Sequence, residues 1–102
     1  MTVFQKTVYS LCKQIPKGKV ATYGQLAKMA GSPGASRAVG MCMKMNPNAP
    51  MTPCHRVVAS DGSLTGYSGG DGVSTKKKML MEEGVMFKGE KVDLERSGWK
   101  KE

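Results

Sequence analysis

The sequence predicts a mainly α fold with small β elements. Three observations lead to this prediction: apolar residues recur at helical spacing near the N-terminus, two Thr-x-x-Gln segments have the pattern of a capping box, and glycine or proline interrupts each helical segment. The chain has 102 residues, which is enough to bury a core. We therefore expect residues 1–102 to form a single domain.

The first helix is predicted over residues 2–15. Thr2 and Gln5 form the first capping-box pattern, and Pro16-Lys17-Gly18 ends the helix. Apolar residues spaced three or four apart define its inner face: Phe4, Val8, Leu11 and Ile15. Val20-Ala21 follows as a short extended link.

Two short helices are predicted next, over residues 22–30 and 35–45, with the break Gly31-Ser32-Pro33-Gly34 between them and Asn46-Pro47 after them. Thr22 and Gln25 form the second capping-box pattern. The expected inner residues are Leu26, Ala27 and Ala30 in the first of these helices, and Val39, Cys42 or Met43, and Met45 in the second. Two short helices around a glycine-containing turn are typical of a helix-turn-helix, although such pairs also occur as plain packing units.

The region after these helices is predicted to contain loops and a hairpin. Residues 46–53 form a proline-rich loop, and Val57-Val58-Ala59 with Leu64 predicts a small hairpin across Ser60-Asp61-Gly62-Ser63. Residues 66–72 are rich in glycine but lack the Gly-Lys-Ser/Thr ending of a phosphate-binding loop. This loop is either a flexible linker or a close approach of backbone to a ligand, and Tyr67 within it favours packing.

The last third of the chain predicts one more helix and a hairpin. Residues 74–83 are expected to be helical with Met79 and Leu80 inward, and Gly84 lies where a C-terminal cap belongs. Residues 85–87 and 92–94 predict a final hairpin or two short extended pieces. Trp99 is expected to fold back onto the body of the protein.

The excess of positive over negative charge lies entirely within the first 60 residues of the chain. The formal net charge is +8, and residues 1–60 carry eight Lys and Arg but no Asp or Glu, whereas residues 61–102 carry eight bases and eight acids. A polyanion is the natural partner of such a one-sided charge distribution. The alternative is a basic protein that is merely soluble.

The cysteines indicate a reducing compartment and no metal site. Cys12, Cys42 and Cys54 are odd in number, widely spaced and without a CxxC pair, which argues against a disulfide framework and against zinc. The N-terminus lacks the pattern of a secretory leader, and no apolar run approaches membrane-spanning length. We expect an intracellular protein, cytoplasmic or, in a eukaryote, nuclear, that needs no cofactor and contacts no membrane.

The segment Pro53-Cys54-His55-Arg56 is the candidate for chemistry. A thiol attacks as its thiolate, and the only histidine of the chain stands beside Cys54, with Arg56 adding positive charge. On these residues alone, Cys54 and His55 could equally be a small buried apolar side chain and a satisfied polar one.

Together with the next residue, Val57, this segment resembles the active-site motif of the O6-alkylguanine-DNA alkyltransferases, also called methylated-DNA–protein-cysteine methyltransferases. Other blocks resemble the same family in the same order, over roughly residues 3–87. These blocks are Gly18-Lys19-Val20, Thr22-Tyr23-Gly24-Gln25-Leu26-Ala27, Ser36-Arg37-Ala38-Val39-Gly40, Asn46-Pro47, Gly66-Tyr67-Ser68-Gly69-Gly70 and Glu83-Gly84. The resemblance implies a compact, winged helix-turn-helix-like DNA-binding domain.

The resemblance also implies a role for each site residue. Cys54 accepts the alkyl group once and irreversibly, His55 deprotonates it through a bridging water, and Glu83 orients the imidazole. Asn46 supports the active-site turn, and Tyr23 donates a proton or hydrogen bond to the leaving guanine. At the DNA and the flipped base, the implied residues are Arg37 as the finger that fills the base stack, Ser68 and Gly69 at the exocyclic oxygen, Tyr67 as a pocket wall, and Ser36 and Arg56. The second helix of the helix-turn-helix is expected in the minor groove.

Three departures from the family pattern affect these expectations. The chain is expected to be a single-domain form without the N-terminal domain of many members, and Gly70 to Glu83 is about two residues longer than usual by eye. The compact form also resembles the alkyltransferase-like proteins, which typically have Trp in place of Cys54 and flag lesions for nucleotide excision repair. Cys54 with its companions favours transfer. The alternatives are lesion flagging and a basic helix-turn-helix regulator with a structural cysteine. We expect the protein to be a monomer, with excision repair factors as possible partners.

Overall fold

The computed structural model describes residues 2–49, 51–65 and 72–100. These residues form five α-helices, two pairs of short strands and one 3-10 turn, so the predicted mainly α fold with small β elements is confirmed. In chain order the elements are α1 (Val3–Gln14), β1 (Ala21–Thr22), α2 (Tyr23–Met29), α3 (Ser36–Lys44), the 3-10 turn Cys54–Arg56, β2 (Val57–Val58), α4 (Val73–Glu82), β3 (Phe87–Lys88), β4 (Lys91–Val92) and α5 (Leu94–Ser97).

Both predicted capping boxes are present. In α1 the Gln5 amide donates to Thr2 Oγ1 at 3.1 Å, and the Thr2 amide donates to Gln5 Oε1 at 2.8 Å. The Thr22–Gln25 pair makes the same reciprocal contacts at the start of α2. Because each box satisfies amides that the first turn of a helix leaves without partners, it fixes where the helix begins.

The third helix differs from the prediction at its C-terminal end. Val39, Cys42 and Met43 are buried as expected, but Met45 is 61 % exposed. Helix α3 ends at Lys44, and Met45 is its C-cap, so the placement of Met45 on the inner face is wrong. A residue two positions after Met43 lies about 200° around the helix, which turns it toward solvent.

The predicted hairpin after Val57-Val58-Ala59 is also wrong. Strand β2 instead pairs in parallel with β1, in the register Ala21 with Val57 and Thr22 with Val58. The Ala59 amide donates to the Ser63 carbonyl at 3.0 Å, which closes only a turn. Within the turn, the Gly62 carbonyl accepts the amide of Val92, a residue of β4, at 2.9 Å.

The β1–β2 pair separates two groups of buried side chains. Successive residues of a strand point to opposite faces, and accordingly Ala21 and Val57 join one buried cluster while Val20 and Val58 join the other. The larger cluster is formed mainly by α1, α2 and α3 and contains Cys54. The smaller one is completed by residues of α4 and the segments after it: Leu80, Val85 and Val92.

Helix α4 ends in a Schellman motif at the predicted glycine. Gly84 has a φ of +90°, the Val85 amide donates to the Leu80 carbonyl at 3.0 Å, and the Gly84 amide donates to the Met81 carbonyl at 3.1 Å. Leu80 is fully buried, so the last turn is anchored in the smaller cluster. This anchoring fixes the position of Glu83, the C-cap residue.

The C-terminal segment forms the predicted hairpin and an unpredicted helix. Strands β3 and β4 pair antiparallel. The short helix α5 follows, with Asp93 as its N-cap, a capping signal that sequence reasoning overlooked. Trp99 folds back as expected: its amide donates to the Val20 carbonyl at 2.7 Å, and its carbonyl accepts from Gln25 Nε2 at 2.7 Å. Among the helices that the structure describes, none is long and apolar enough to cross a membrane.

Candidate active site

Cys54 lies at the start of the 3-10 turn and is only 7 % exposed. The Thr52 carbonyl accepts the Cys54 amide at 2.8 Å and Asn46 Nδ2 at 2.7 Å. The Asn46 Oδ1 in turn accepts the Asn48 amide at 2.9 Å. Both ends of the Asn46 amide therefore hold the segment that leads to Cys54, which is the geometry a supporting residue needs.

His55 is directed by Glu83. Its Nε2 lies 3.1 Å from each Glu83 carboxylate oxygen. Burial lowers the pKa of His55 below its ordinary value, and Glu83 opposes that shift without reversing it. A neutral imidazole that donates from Nε2 to a carboxylate carries no proton on Nδ1.

The second ring nitrogen of His55 has no partner among the described residues. His55 Nδ1 is buried and makes no hydrogen bond there. Buried polar atoms are nearly always hydrogen-bonded, so one without a protein partner calls for a water or a substrate group. The structure thus leaves one basic nitrogen free on the residue next to Cys54.

Arg56 is engaged inside the protein. Its Nε and Nη2 donate to the two Glu83 oxygens at 2.9 and 2.8 Å, and its Nη1 donates to the Ile15 carbonyl at 2.8 Å. Burial opposes ionisation of Glu83, but the hydrogen bonds from Arg56 and His55 outweigh it and hold the pKa of Glu83 below its ordinary value. These contacts use three of the five N–H donors of the guanidinium inside the protein. The expectation that Arg56 also binds DNA stays a prediction.

Tyr23 lies at the first position of α2. Its hydroxyl donates to the Thr65 carbonyl at 3.1 Å. Burial raises the pKa of Tyr23, and the hydrogen bond to Thr65 only partly offsets that shift. The phenol therefore keeps its proton at neutral pH and can act as a donor.

Sequence reasoning missed Lys76, a buried lysine of α4. Its Nζ donates to the Val57 carbonyl at 2.7 Å and the Thr65 carbonyl at 2.8 Å, and lies 5.8 Å from the centre of the Tyr23 ring. Burial lowers the pKa of Lys76 to about 8. The signal that could have found it is spacing, because Lys76, Leu80 and Glu83 share one face of the helix.

The other two cysteines are buried in the larger cluster and are free thiols. Burial raises the pKa of Cys12 to about 12 and also raises that of Cys42. Both therefore remain neutral thiols at physiological pH. Among the described residues, no group of three His, Cys, Asp or Glu side chains could hold a metal ion.

An open groove of about 590 Å³ lies between α3 and Tyr23. It is lined by Tyr23, Ser36, Arg37, Gly40, Met41, Lys44 and Thr65. Ser36 and Arg37 begin α3 and are exposed. Arg37 makes no ion pair or hydrogen bond within residues 2–49, 51–65 and 72–100. Three predicted base-binding residues, Tyr67, Ser68 and Gly69, lie outside the described residues.

These observations define a helix-turn-helix domain that carries a cysteine–histidine–glutamate cluster. The family model for the 6-O-methylguanine DNA methyltransferase DNA-binding domain matches residues 3–85. The chain belongs to this family, so the resemblance drawn from the sequence is confirmed.

Two relatives show the extent of the similarity. The methylated-DNA–protein-cysteine methyltransferase of Methanosarcina acetivorans is 48 % identical over 83 residues, which are 81 % of this chain and 52 % of the relative. The protein of the same name from Salmonella typhimurium is 47 % identical over 86 residues, covering 84 % of this chain and 49 % of the relative. The chain thus spans about half the length of the curated relatives it matches.

Solved structures with the same fold include two complexes with DNA. Mycobacterium tuberculosis OGT in complex with DNA is 43 % identical with a TM-score of 0.78, over 82 % of this chain and 51 % of that one. S. pombe Atl1 in complex with damaged DNA containing O6-carboxymethylguanine is 34 % identical with a TM-score of 0.84, over 99 % of this chain and 98 % of that one.

Proposed function

We propose that the protein repairs DNA by moving a methyl or larger alkyl group from the O6 atom of guanine to Cys54, once per molecule. The observation that carries this proposal is the arrangement around His55. Glu83 holds Nε2, and the basic Nδ1 is left without a partner among the described residues. A thiol nucleophile needs such a base, and Cys54 is its chain neighbour.

The proposed step begins with proton removal. A water between Cys54 and His55 Nδ1 passes the thiol proton to the imidazole, and the Glu83 carboxylate stabilises the imidazolium that forms. The sulfur then attacks the alkyl carbon, a carbon–sulfur bond forms, and the bond from that carbon to guanine O6 breaks with its electron pair going to the base. The thioether product has no leaving group to lose, so the protein is consumed.

Tyr23 is proposed to assist the departing base. Negative charge develops on guanine as the carbon–oxygen bond breaks, and a protonated phenol can donate a hydrogen bond or a proton to it. The raised pKa of Tyr23 keeps it protonated until then. Ser68, Gly69 and Tyr67 remain proposals from the family resemblance, as contacts to the exocyclic oxygen and as a wall of the base pocket.

Access to the lesion requires base flipping. An alkyl group on a stacked guanine cannot reach a buried thiol, and a base that pairs poorly is easier to extrude. We propose that α3 lies in the minor groove, that Arg37 fills the vacated stack and that Ser36 contacts the backbone beside it. The charge excess of residues 1–60 would neutralise phosphates along this surface.

A second candidate is lesion recognition without transfer. The similarity to Atl1 over nearly the whole of both chains favours it. In that case the protein would bind alkylated guanine and present it to excision repair factors. We propose transfer as the primary function, with a monomeric protein acting inside the cell on double-stranded DNA.

Intact-mass spectrometry tests the proposal directly. The protein is mixed with an excess of duplex that contains one O6-methylguanine, and we expect a gain of one methylene per molecule that peptide mapping assigns to Cys54. Cys54→Ala should show no gain yet still bind the duplex. No gain in the unaltered protein, together with selective binding of the lesion duplex, would establish recognition without transfer.

A further inference from the structure

Lys76 is a buried cation that the proposed mechanism does not use. Its side chain is 1 % exposed, although lysine is almost never fully buried without partners. The two hydrogen bonds that it makes to described residues go to main-chain carbonyls, those of Val57 and Thr65. Burial of a charge is unfavourable unless such contacts compensate it, so these two contacts are the key to its role.

The two carbonyls belong to different parts of the site. Val57 directly follows the 3-10 turn that carries Cys54 and His55. Thr65 precedes the glycine-rich loop, and its carbonyl also accepts the Tyr23 hydroxyl. The Thr65 oxygen therefore accepts two hydrogen bonds at once, one from Lys76 at 2.8 Å and one from Tyr23 at 3.1 Å, which its two lone pairs allow.

This shared acceptor matters because Tyr23 has to leave it. In the proposed reaction the Tyr23 hydroxyl donates to the departing guanine, which requires that it release the Thr65 carbonyl. Thr65 is an exposed residue, so once the Tyr23 hydroxyl has left, the Lys76 ammonium is the donor from the described residues that stays on its carbonyl oxygen.

We propose that Lys76 is a positioning residue for Tyr23: it keeps the Thr65 carbonyl hydrogen-bonded while the Tyr23 hydroxyl turns to the base. This inference rests on the proposed function. It assigns Lys76 no contact with the substrate.

The geometry of α4 supports the assignment. Lys76 and Glu83 are seven residues apart, so they lie two turns apart on one face of the helix and its C-cap. Glu83 contacts His55 on the nucleophile side, and Lys76 contacts Thr65 on the leaving-group side. The ammonium also lies 5.8 Å from the centre of the Tyr23 ring, a distance at which a cation interacts with an aromatic face.

A double-mutant cycle between Lys76→Met and Tyr23→Phe tests the coupling. The quantity measured is the single-turnover rate of methyl transfer to Cys54 at saturating lesion duplex. We expect Lys76→Met to slow transfer about tenfold in the unaltered protein but less than about twofold in the Tyr23→Phe background. The same slowing in both backgrounds would show that Lys76 acts independently of Tyr23 and would overturn the proposal.

Lys77→Met is the matched control. Lys77 is the next residue of α4, and its Nζ pairs with the exposed Glu90 at 3.0 Å, so its loss should change the rate less than about twofold. Thermal unfolding of each variant separates a loss of rate from a loss of folded protein. If Lys76→Met does not fold, Lys76→Gln is used, which retains a neutral donor at this position and should keep the transfer rate within about threefold of that of the unaltered protein. A larger loss in folded Lys76→Gln would contradict the role assigned to the donor.

A second readout does not depend on transfer. In protein labelled with ¹³C-tyrosine, Tyr23→Phe identifies the ring signal of Tyr23 in an NMR spectrum. Lys76→Met should shift that signal and Lys77→Met should not. If the unaltered protein transfers no methyl group, the proposed function fails while this spectrum still tests the contact, and a Tyr23 signal unmoved by Lys76→Met would overturn the inference.

Discussion

The cluster around His55 and the exposed face of α3 differ in how far they are organised before any partner binds. In the cluster, one carboxylate, that of Glu83, receives hydrogen bonds from both His55 and Arg56, and His55 is almost completely buried. On α3, Arg37 and Met41 are exposed, and Arg37 has no partner in the part of the chain that the structure describes. The chemical groups are thus preorganised by the fold, whereas the proposed recognition surface would acquire its contacts from DNA.

The largest effect on the transfer rate should come from Glu83→Gln, which disrupts the hydrogen-bonded cluster around His55. A glutamine can present its NH₂ group to His55 Nε2, which would place the imidazole proton on Nδ1 and remove the base. We expect single-turnover methyl transfer to fall about a hundredfold or more, while binding of the lesion duplex persists.

Glu82→Gln is the control for that variant, because Glu82 is the preceding residue and is exposed. It should transfer at the rate of the unaltered protein. Glu83→Gln also leaves Arg56 without its carboxylate, so the folded fraction is measured by thermal unfolding at the assay temperature. A folded Glu83→Gln protein with an undiminished rate would remove Glu83 from the mechanism.

Arg37→Ala acts on the other side of the comparison. If Arg37 stabilises the flipped state, its loss should slow transfer from duplex DNA about tenfold, because only the extrusion step is affected. Transfer from the free O6-methylguanine base, which needs no extrusion, should keep its rate. The comparison of the two substrates separates recognition from chemistry in one protein.

Arg37→Lys sharpens this test. It retains the charge but not the planar guanidinium that can stack on bases. Relative to Arg37→Ala, we expect Arg37→Lys to regain more of the affinity for the lesion duplex than of the rate of methyl transfer. An equal loss on the duplex and on the free base would place Arg37 with the chemical groups and contradict the division drawn above.

The same division explains what the sequence could predict. The two capping boxes, the Gly84 cap and the Cys54-His55 pair are local patterns, and each acts through neighbours a few residues away. The partner of β2 is not local: Val57-Val58 could pair with any suitable strand, and the nearest turn predicted a hairpin that does not form. Register and partner choice in a two-residue strand depend on the whole fold.

Charged residues were the harder part of the site. The sequence places Arg56 at DNA and gives no reason to single out Lys76 within Lys76-Lys77-Lys78, because charged side chains are usually solvated. Both side chains are engaged by groups remote in the sequence, Arg56 by Glu83 and Ile15, and Lys76 by Val57 and Thr65. Only the folded chain brings those acceptors together.

The pH dependence should reflect the buried state of His55. In the proposed mechanism the imidazole must be neutral, and burial lowers the pKa of His55, so the transfer rate should fall in acid with a midpoint below the ordinary histidine value of about 6.5. Stability follows the same direction. The unfolded chain takes up a proton on histidine more readily than the folded one, so the stabilisation is present above the unfolded pKa and is lost as pH falls toward the folded pKa.

Glu83 adds to the acid sensitivity at lower pH, since its folded pKa is also depressed and its stabilisation is lost as pH falls through that value. Rate and thermal unfolding measured between about pH 5 and 8 follow the histidine range. In His55→Gln the acid limb of the rate profile should disappear. A midpoint above the ordinary histidine pKa would mean that the ion pair with Glu83, rather than burial, dominates the site.

The smallest expected effect concerns Met41, on the recognition side. Met41 follows Arg37 by one helical turn, is 55 % exposed and lines the groove with Tyr23. Flexible apolar side chains pack against base edges in the minor groove. Met41→Ala should weaken binding of the lesion duplex about threefold and leave the rate on the free base unchanged. Met81→Ala is the matched control, since Met81 is 58 % exposed on α4. If Met41→Ala and Met81→Ala bind the lesion duplex equally well, Met41 does not contact the DNA, and the recognition surface covers only part of the groove.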